Sequence, residues 1–133
     1  MPTERKTISP ANSHKTIGYS HAIATTGGTT IYIAGQVAQD IDGNVVGAGD
    51  FAAQARQVFV NLQAALEAAG GGFSNVVKMT TFIVNYQADQ LPALREVRAQ
   101  YLPATDPPAS TLVGVAALAR PEFLIEVEAI AVV

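Results

Sequence analysis

Between Phe51 and Ala69 the apolar residues Phe51, Ala55, Val58, Phe59, Leu62, Ala65, Leu66 and Ala69 recur every three or four positions. That period predicts a long helix with one buried face. Asp50, just ahead of the run, is a good N-cap because its short carboxylate can accept a free first-turn amide. Gly70-Gly71-Gly72 stops the helix, since glycine takes the left-handed conformation that a C-terminal cap needs. A second helical period, Leu91, Leu94, Val97 and Tyr101, starts after Asp89, read as its cap, and ends at Pro103.

Elsewhere the pattern shifts to short β-branched and alternating runs bounded by turn residues, which predict strands. These are His21–Thr25, Thr30–Val37, Asn75–Val84, Ser110–Ala117 and Phe123–Val132, with a further short strand around Thr7–Ser9. Gly27-Gly28 reads as a hairpin turn, Asp42-Gly43-Asn44 as a turn before an extended piece at Val45–Val46, and Pro107-Pro108 as a break. The element order is β-β-β-α-β-α-β-β, in one domain over residues 1–133 whose residues 1–16 form a loosely held arm. An α+β fold follows, with two layers and both helices packed on one face of a single sheet.

The last strand carries a second pattern. Ile125, Val127, Ala129 and Ala131 point to one side and suit a helix layer, whereas Leu124, Glu126, Glu128, Ile130 and Val132 point to the other. Aliphatics mixed with two carboxylates suit a face covered by another subunit that keeps polar groups for a site. A solvated face with two unremarkable acids is the alternative. The two glutamates, two residues apart, fit general acid/base work or the orienting of a water. Arg95, Arg98 and Arg120 are candidate counter-charges, against a plain reading of each as a surface charge.

Composition narrows the function classes. The 133 residues are 49% hydrophobic and only 14% charged, which suggests that some apolar surface is covered by a partner copy. A net charge of −3 with eight scattered basic residues argues against nucleic acid, which needs clustered Lys and Arg. The absence of Cys excludes thiolate chemistry, and two histidines, His14 and His21, are too few for a histidine metal site. Met1–Thr16 is polar and unlike a signal peptide, and no apolar run reaches the ~20 residues of a membrane span, so a soluble cytoplasmic protein is expected.

Tempting motifs fail on physical grounds. Gly70-Gly71-Gly72 follows a helix and cannot cradle phosphate at a helix N-terminus. Ser20 and His21 are adjacent on a strand and face opposite ways, so they cannot form a nucleophile–base pair.

Taken together, Gly18-Tyr19-Ser20-His21-Ala22, Ile33-Ala34-Gly35-Gln36, Ala53-Gln54-Ala55-Arg56, Pro108-Ala109-Ser110-Thr111 and the closing Leu124-Ile125-Glu126-Val127-Glu128-Ala129-Ile130-Ala131-Val132 resemble the Rid family. These are the RidA or YjgF-like reactive-intermediate deaminases, also called L-PSP endoribonuclease-like proteins. The resemblance covers nearly everything beyond Thr16. It implies a chorismate-mutase-like two-layer fold with a mixed sheet, assembled as a barrel-forming homotrimer with small-molecule clefts between subunits. It also implies metal-free and cofactor-free hydrolysis of enamine or imine intermediates, such as 2-aminoacrylate or 2-iminobutanoate, to a 2-keto acid and ammonia.

By position, the resemblance makes Glu126 the catalytic acid that orients water, Tyr19 a lining residue and Gly35 the cleft glycine, preceded by Ala34 where a Ser is common. Deaminating relatives read Pro-Ala-Arg-Ser where this chain reads Pro108-Ala109-Ser110-Thr111, so Ser110 stands where an Arg clamps the substrate carboxylate. A hydroxyl cannot replace a bidentate guanidinium, and losing such an anchor costs about 2–5 kcal/mol, roughly 30- to several-thousand-fold. Ser110 and Thr111 remain as polar contacts, and Arg95, where many relatives carry Asn, is either a relocated cation or a helix-surface charge. Three functions follow in order: a Rid-like hydrolase whose substrate is not a simple 2-imino acid, a non-catalytic ligand-binding or regulatory trimer, and, last, a ribonuclease.

Overall fold

The computed structural model describes residues 2–133. The elements are β1 (Glu4–Ile8), β2 (Ala22–Thr26), β3 (Thr30–Gln36), α1 (Phe51–Ala68), β4 (Val76–Val84), α2 (Leu91–Tyr101), β5 (Ala109–Val115) and β6 (Ile125–Val132). Their order is the one the hydrophobic pattern predicts. No helix among the described residues is long and apolar enough to cross a membrane.

The strands form two sheets where one was expected. β3, β6, β4 and β5 lie side by side in that order, with β4 and β5 parallel and the other pairs antiparallel, so the main sheet is mixed. β1 and β2 pair only with each other. Gly27-Gly28 therefore joins two sheets instead of closing a hairpin. Both glycines have positive φ (76° and 70°), and a Cβ on Gly28 would run into Thr3, Val132 and the Val133 carbonyl.

The strand expected around Thr7–Ser9 lies at Glu4–Ile8, and its full-length pairing with β2 corrects the reading of a loosely held arm. Arg5 ties this ribbon across one end of the main sheet, donating to the carbonyls of Ser74 (2.9 Å), Val76 (2.8 Å) and Asp106 (2.9 Å). The polar sequence hid it because the arm is held by backbone and guanidinium hydrogen bonds instead of by an apolar face.

One face of the main sheet carries the core. Ile33, Met79, Ile83, Ile125, Val127, Ala129 and Ala131 meet Ala55, Val58, Phe59, Leu62 and Leu66 of α1 and Leu94 and Val97 of α2. α1 lies over β3 and β6, and α2 packs beside α1. Phe59, Phe73 and Tyr101 join the two helices through ring contacts of 5.3–5.7 Å.

The caps divide the same way. Asp50 Oδ1 accepts from the Ala53 amide at 3.0 Å, as expected, and Gly70 (φ 85°) ends α1. Asp89 does not cap α2. It lies inside a 3-10 turn, Ala88–Gln90, in which Gln90 Oε1 accepts from the Gln87 amide (2.7 Å), and Pro92 enters the first turn of α2.

Gln54 is buried within the apolar face of α1. Its Nε2 donates to Glu122 O (2.8 Å) and Gly47 O (3.2 Å), and its Oε1 accepts from Leu124 N (2.9 Å). It thus sets the entry into β6, two residues before Glu126.

Candidate functional site

The expected site residues fall into two groups on opposite faces of the main sheet. Ser110 pairs in register with Met79, and Met79 with Ala129, so all three face the helices. Glu126 pairs with Phe82, and Phe82 with Val113, on the far face. Three positions separate Glu126 from Ala129, and an odd separation reverses the side. Ser110 is therefore not beside Glu126 within one chain.

The first group lines a cavity of about 560 Å³ between the β5 edge, α2 and the loop before β2. Tyr19, Arg95 and Ser110 meet there, together with Arg98 and the apolar Ile17, Leu91, Leu102 and Leu112. Local hydrogen bonds explain the arrival of Tyr19. Buried Ser20 gives its amide to Pro108 O (3.0 Å) and its hydroxyl to Pro107 O (2.5 Å), which pins this loop to the start of β5. That also settles the part of Ser20: its hydroxyl holds the loop. The Tyr19 hydroxyl and His14 Nε2 are hydrogen-bonded at 3.2 Å, and His21 Nε2 donates to His14 O at 2.7 Å.

Arg98 gained no place in the cavity from the sequence. It is half-buried, and its Nη2 donates to Gly18 O at 3.3 Å. Burial, and then the neighbouring charge of Arg95, lower its pKa from the ordinary arginine value. The signal that could have found it is its spacing: Leu91, Arg95 and Arg98 lie at i, i+4 and i+7 on one stripe of α2. Within one chain neither arginine pairs with Glu126 or Glu128. The one ion pair among the described residues joins Arg120 to Glu122 at 3.7 Å.

The second group is Glu126 and Gly35. β3 and β6 are in simple register up to Ile33↔Ala129, and the next paired residue, Gln36, meets Val127, so an irregularity falls at Ala34-Gly35. It turns Gly35 onto the Glu126 carboxyl: a Cβ there would overlap Oε2 and approach Cδ to 2.6 Å. The glycine serves close approach, since its φ is not positive.

Thr111 belongs to neither group. It faces away from the helices beside Thr80, and its Oγ1 accepts from Lys78 Nζ at 2.6 Å. The far face holds a smaller hollow of about 360 Å³ lined by Tyr32, Lys78, Thr80, Glu128 and Ile130. Tyr32 is 79% exposed and Val113 38%. Among the described residues no three His, Cys, Asp or Glu side chains cluster as metal ligands.

Comparison with known proteins places this chain in one family. The model described as Endoribonuclease L-PSP covers residues 11–133. The 2-iminobutanoate/2-iminopropanoate deaminase of Dermatophagoides farinae is 34% identical over 97% of this chain and 97% of its own length. The human protein of that name is 35% identical over 96% of this chain and 90% of its own. Among solved structures, the Rid-family protein YyfB of Yersinia pestis, of unknown function, is 40% identical, with a TM-score of 0.90 over 97% of this chain and 98% of that one. RidA from an Antarctic Psychrobacter is 34% identical, with a TM-score of 0.70 over 96% and 99%.

Proposed function

Because this chain belongs to the Endoribonuclease L-PSP family, the Rid family of its sequence resemblance, we propose that it hydrolyses a reactive enamine or imine to a carbonyl compound and ammonia. The observation that carries the reading is the seat of Glu126. Its carboxylate is packed onto Gly35 at the strand irregularity, and a fixed carboxylate is what an attacking water requires. The names of the mite and human relatives support the reaction class.

The chemistry balances without another reactant. Water held by Glu126 adds its oxygen to the C=N carbon while the nitrogen takes a proton. The resulting carbinolamine breaks its C–N bond, releases ammonia and leaves C=O. An enamine enters the same path once its carbon is protonated to the imine.

The division of the site between two sheet faces supports a cleft shared by two subunits. One chain supplies the cavity with Tyr19 and Ser110, and a neighbour covering the far face supplies Glu126 and Gly35. A closed homotrimer satisfies this geometry three times over and covers Tyr32 and Val113. Ser110 in the place of the family arginine favours a substrate other than the small 2-imino acids. The same replacement favours a second reading, a ligand-binding trimer that no longer catalyses. Ribonuclease action has least support, since the net charge is −3 and the basic residues do not form a groove.

The test generates 2-imino acids in situ with an amino-acid oxidase and follows their decay. The wild type accelerates decay of a branched imino acid, Glu126→Ala loses about 10²-fold or more, and Ser110→Arg gains on 2-iminobutanoate. Absence of acceleration by the wild type on every imino acid overturns the hydrolase reading, and a gain confined to Ser110→Arg then indicates an altered ligand class.

A further inference from the structure

The geometry points to Arg95 and Arg98 as a relocated anion clamp on α2, taking the carboxylate of an acid whose apolar body is larger than that of a four-carbon acid. This rests on the reading of the cavity as the ligand cleft and names the class of ligand it takes.

The charge balance of the cavity comes first. Arg95 and Arg98 are one turn apart on the same stripe of α2 and line the same space. No carboxylate among the described residues lies within ion-pair distance of either, the single pair being Arg120–Glu122. Burial together with the charge of Arg95 disfavours the protonated state of Arg98. Within one chain the two guanidinium groups, Arg98 half-buried and Arg95 exposed, therefore share the cavity without a carboxylate partner, and an anion between them relieves their repulsion. Arg98 spends one donor on Gly18 O and keeps the rest of its planar fork, the geometry that suits a carboxylate.

Shape and lining give the rest of the ligand. Ile17, Leu91, Leu102, Pro103 and Leu112 form apolar walls. A volume of about 560 Å³ falls in the range that holds ligands well above three or four carbons. Ser110 enlarges the space at the β5 edge, and the positive charge comes from the helix side instead. The anion is thus held across the cavity from where an arginine at position 110 would hold it. Walls of this kind suit a single anionic group on an apolar body better than a phosphate, which would leave its remaining oxygens against hydrocarbon.

Binding of 2-oxo acids, the products of imine hydrolysis, tests this without turnover. Titration calorimetry on the purified protein uses 4-methyl-2-oxopentanoate, its methyl ester, pyruvate and inorganic phosphate. The branched acid binds about tenfold or more tighter than pyruvate or the ester, and Arg98→Gln and Arg95→Gln each lose about tenfold or more for the acid alone. Thermal melts of the ligand-free variants stay near wild type, which separates lost binding from lost folding. Equal binding of ester and acid, unchanged binding in both variants, or phosphate binding as tightly as the branched acid each overturns the clamp. A wild type that binds the branched acid but does not accelerate imine decay removes the hydrolase reading and leaves the clamp standing, so the two failures are read from different measurements.

Discussion

Gly35 lies so close to the Glu126 carboxyl that no side chain fits between them. The contact joins β3 to β6 where their register shifts, and it fixes the one acid to which the proposed chemistry assigns water. Gly35→Ala must displace either the carboxylate or the strand. A loss of about 1–3 kcal/mol in urea unfolding is expected, with a fall in imine hydrolysis beyond what the lost stability explains. Wild-type stability and rate in Gly35→Ala would show that Glu126 is not held by this contact.

Gln54 is the polar staple that aims β6. Gln54→Met keeps the volume but leaves the Leu124 amide and the Glu122 carbonyl without their partner. Each group stranded in this way costs roughly 1–3 kcal/mol, so a total of about 2–6 kcal/mol is expected from denaturant titration. A change below about 0.5 kcal/mol would mean that other groups satisfy these atoms.

Tyr32 tests the covered face. It is 79% exposed in the single chain and stands on the face opposite the core. Tyr32→Glu places a charge in the proposed subunit contact, and sedimentation is expected to turn a trimer into folded monomers with an unchanged far-ultraviolet spectrum. A wild type already monomeric at micromolar concentration would remove the shared cleft altogether.

Much of this architecture was legible in the sequence because it is periodic. The α1 stripe, the alternation of Ile125, Val127, Ala129 and Ala131, and the Asp50 cap each express a local rule, and the structure follows each. What stayed hidden depends on registers between distant strands. Ser110 and Glu126 look like neighbours in a shared motif set, and only the β5–β4–β6 pairing sets them on opposite faces. β1 was misplaced because its partners are backbone carbonyls reached by Arg5. Asp89 reads as a cap in the sequence because a 3-10 turn before α2 leaves no mark in the hydrophobic period. Arg98 was one charge among eight basic residues until the fold closed a cavity around it.

The shared cleft is tested most directly by mixing two damaged chains. Glu126→Ala removes the water-positioning group, and Ala99→Trp fills the cavity from α2. Each alone is expected to lose imine hydrolysis. Co-expressed and assembled at random, they place an intact cavity beside an intact Glu126 in roughly a quarter of the clefts, so about a quarter of the wild-type rate returns. A mixture no more active than its separate components would contradict a site built from two subunits.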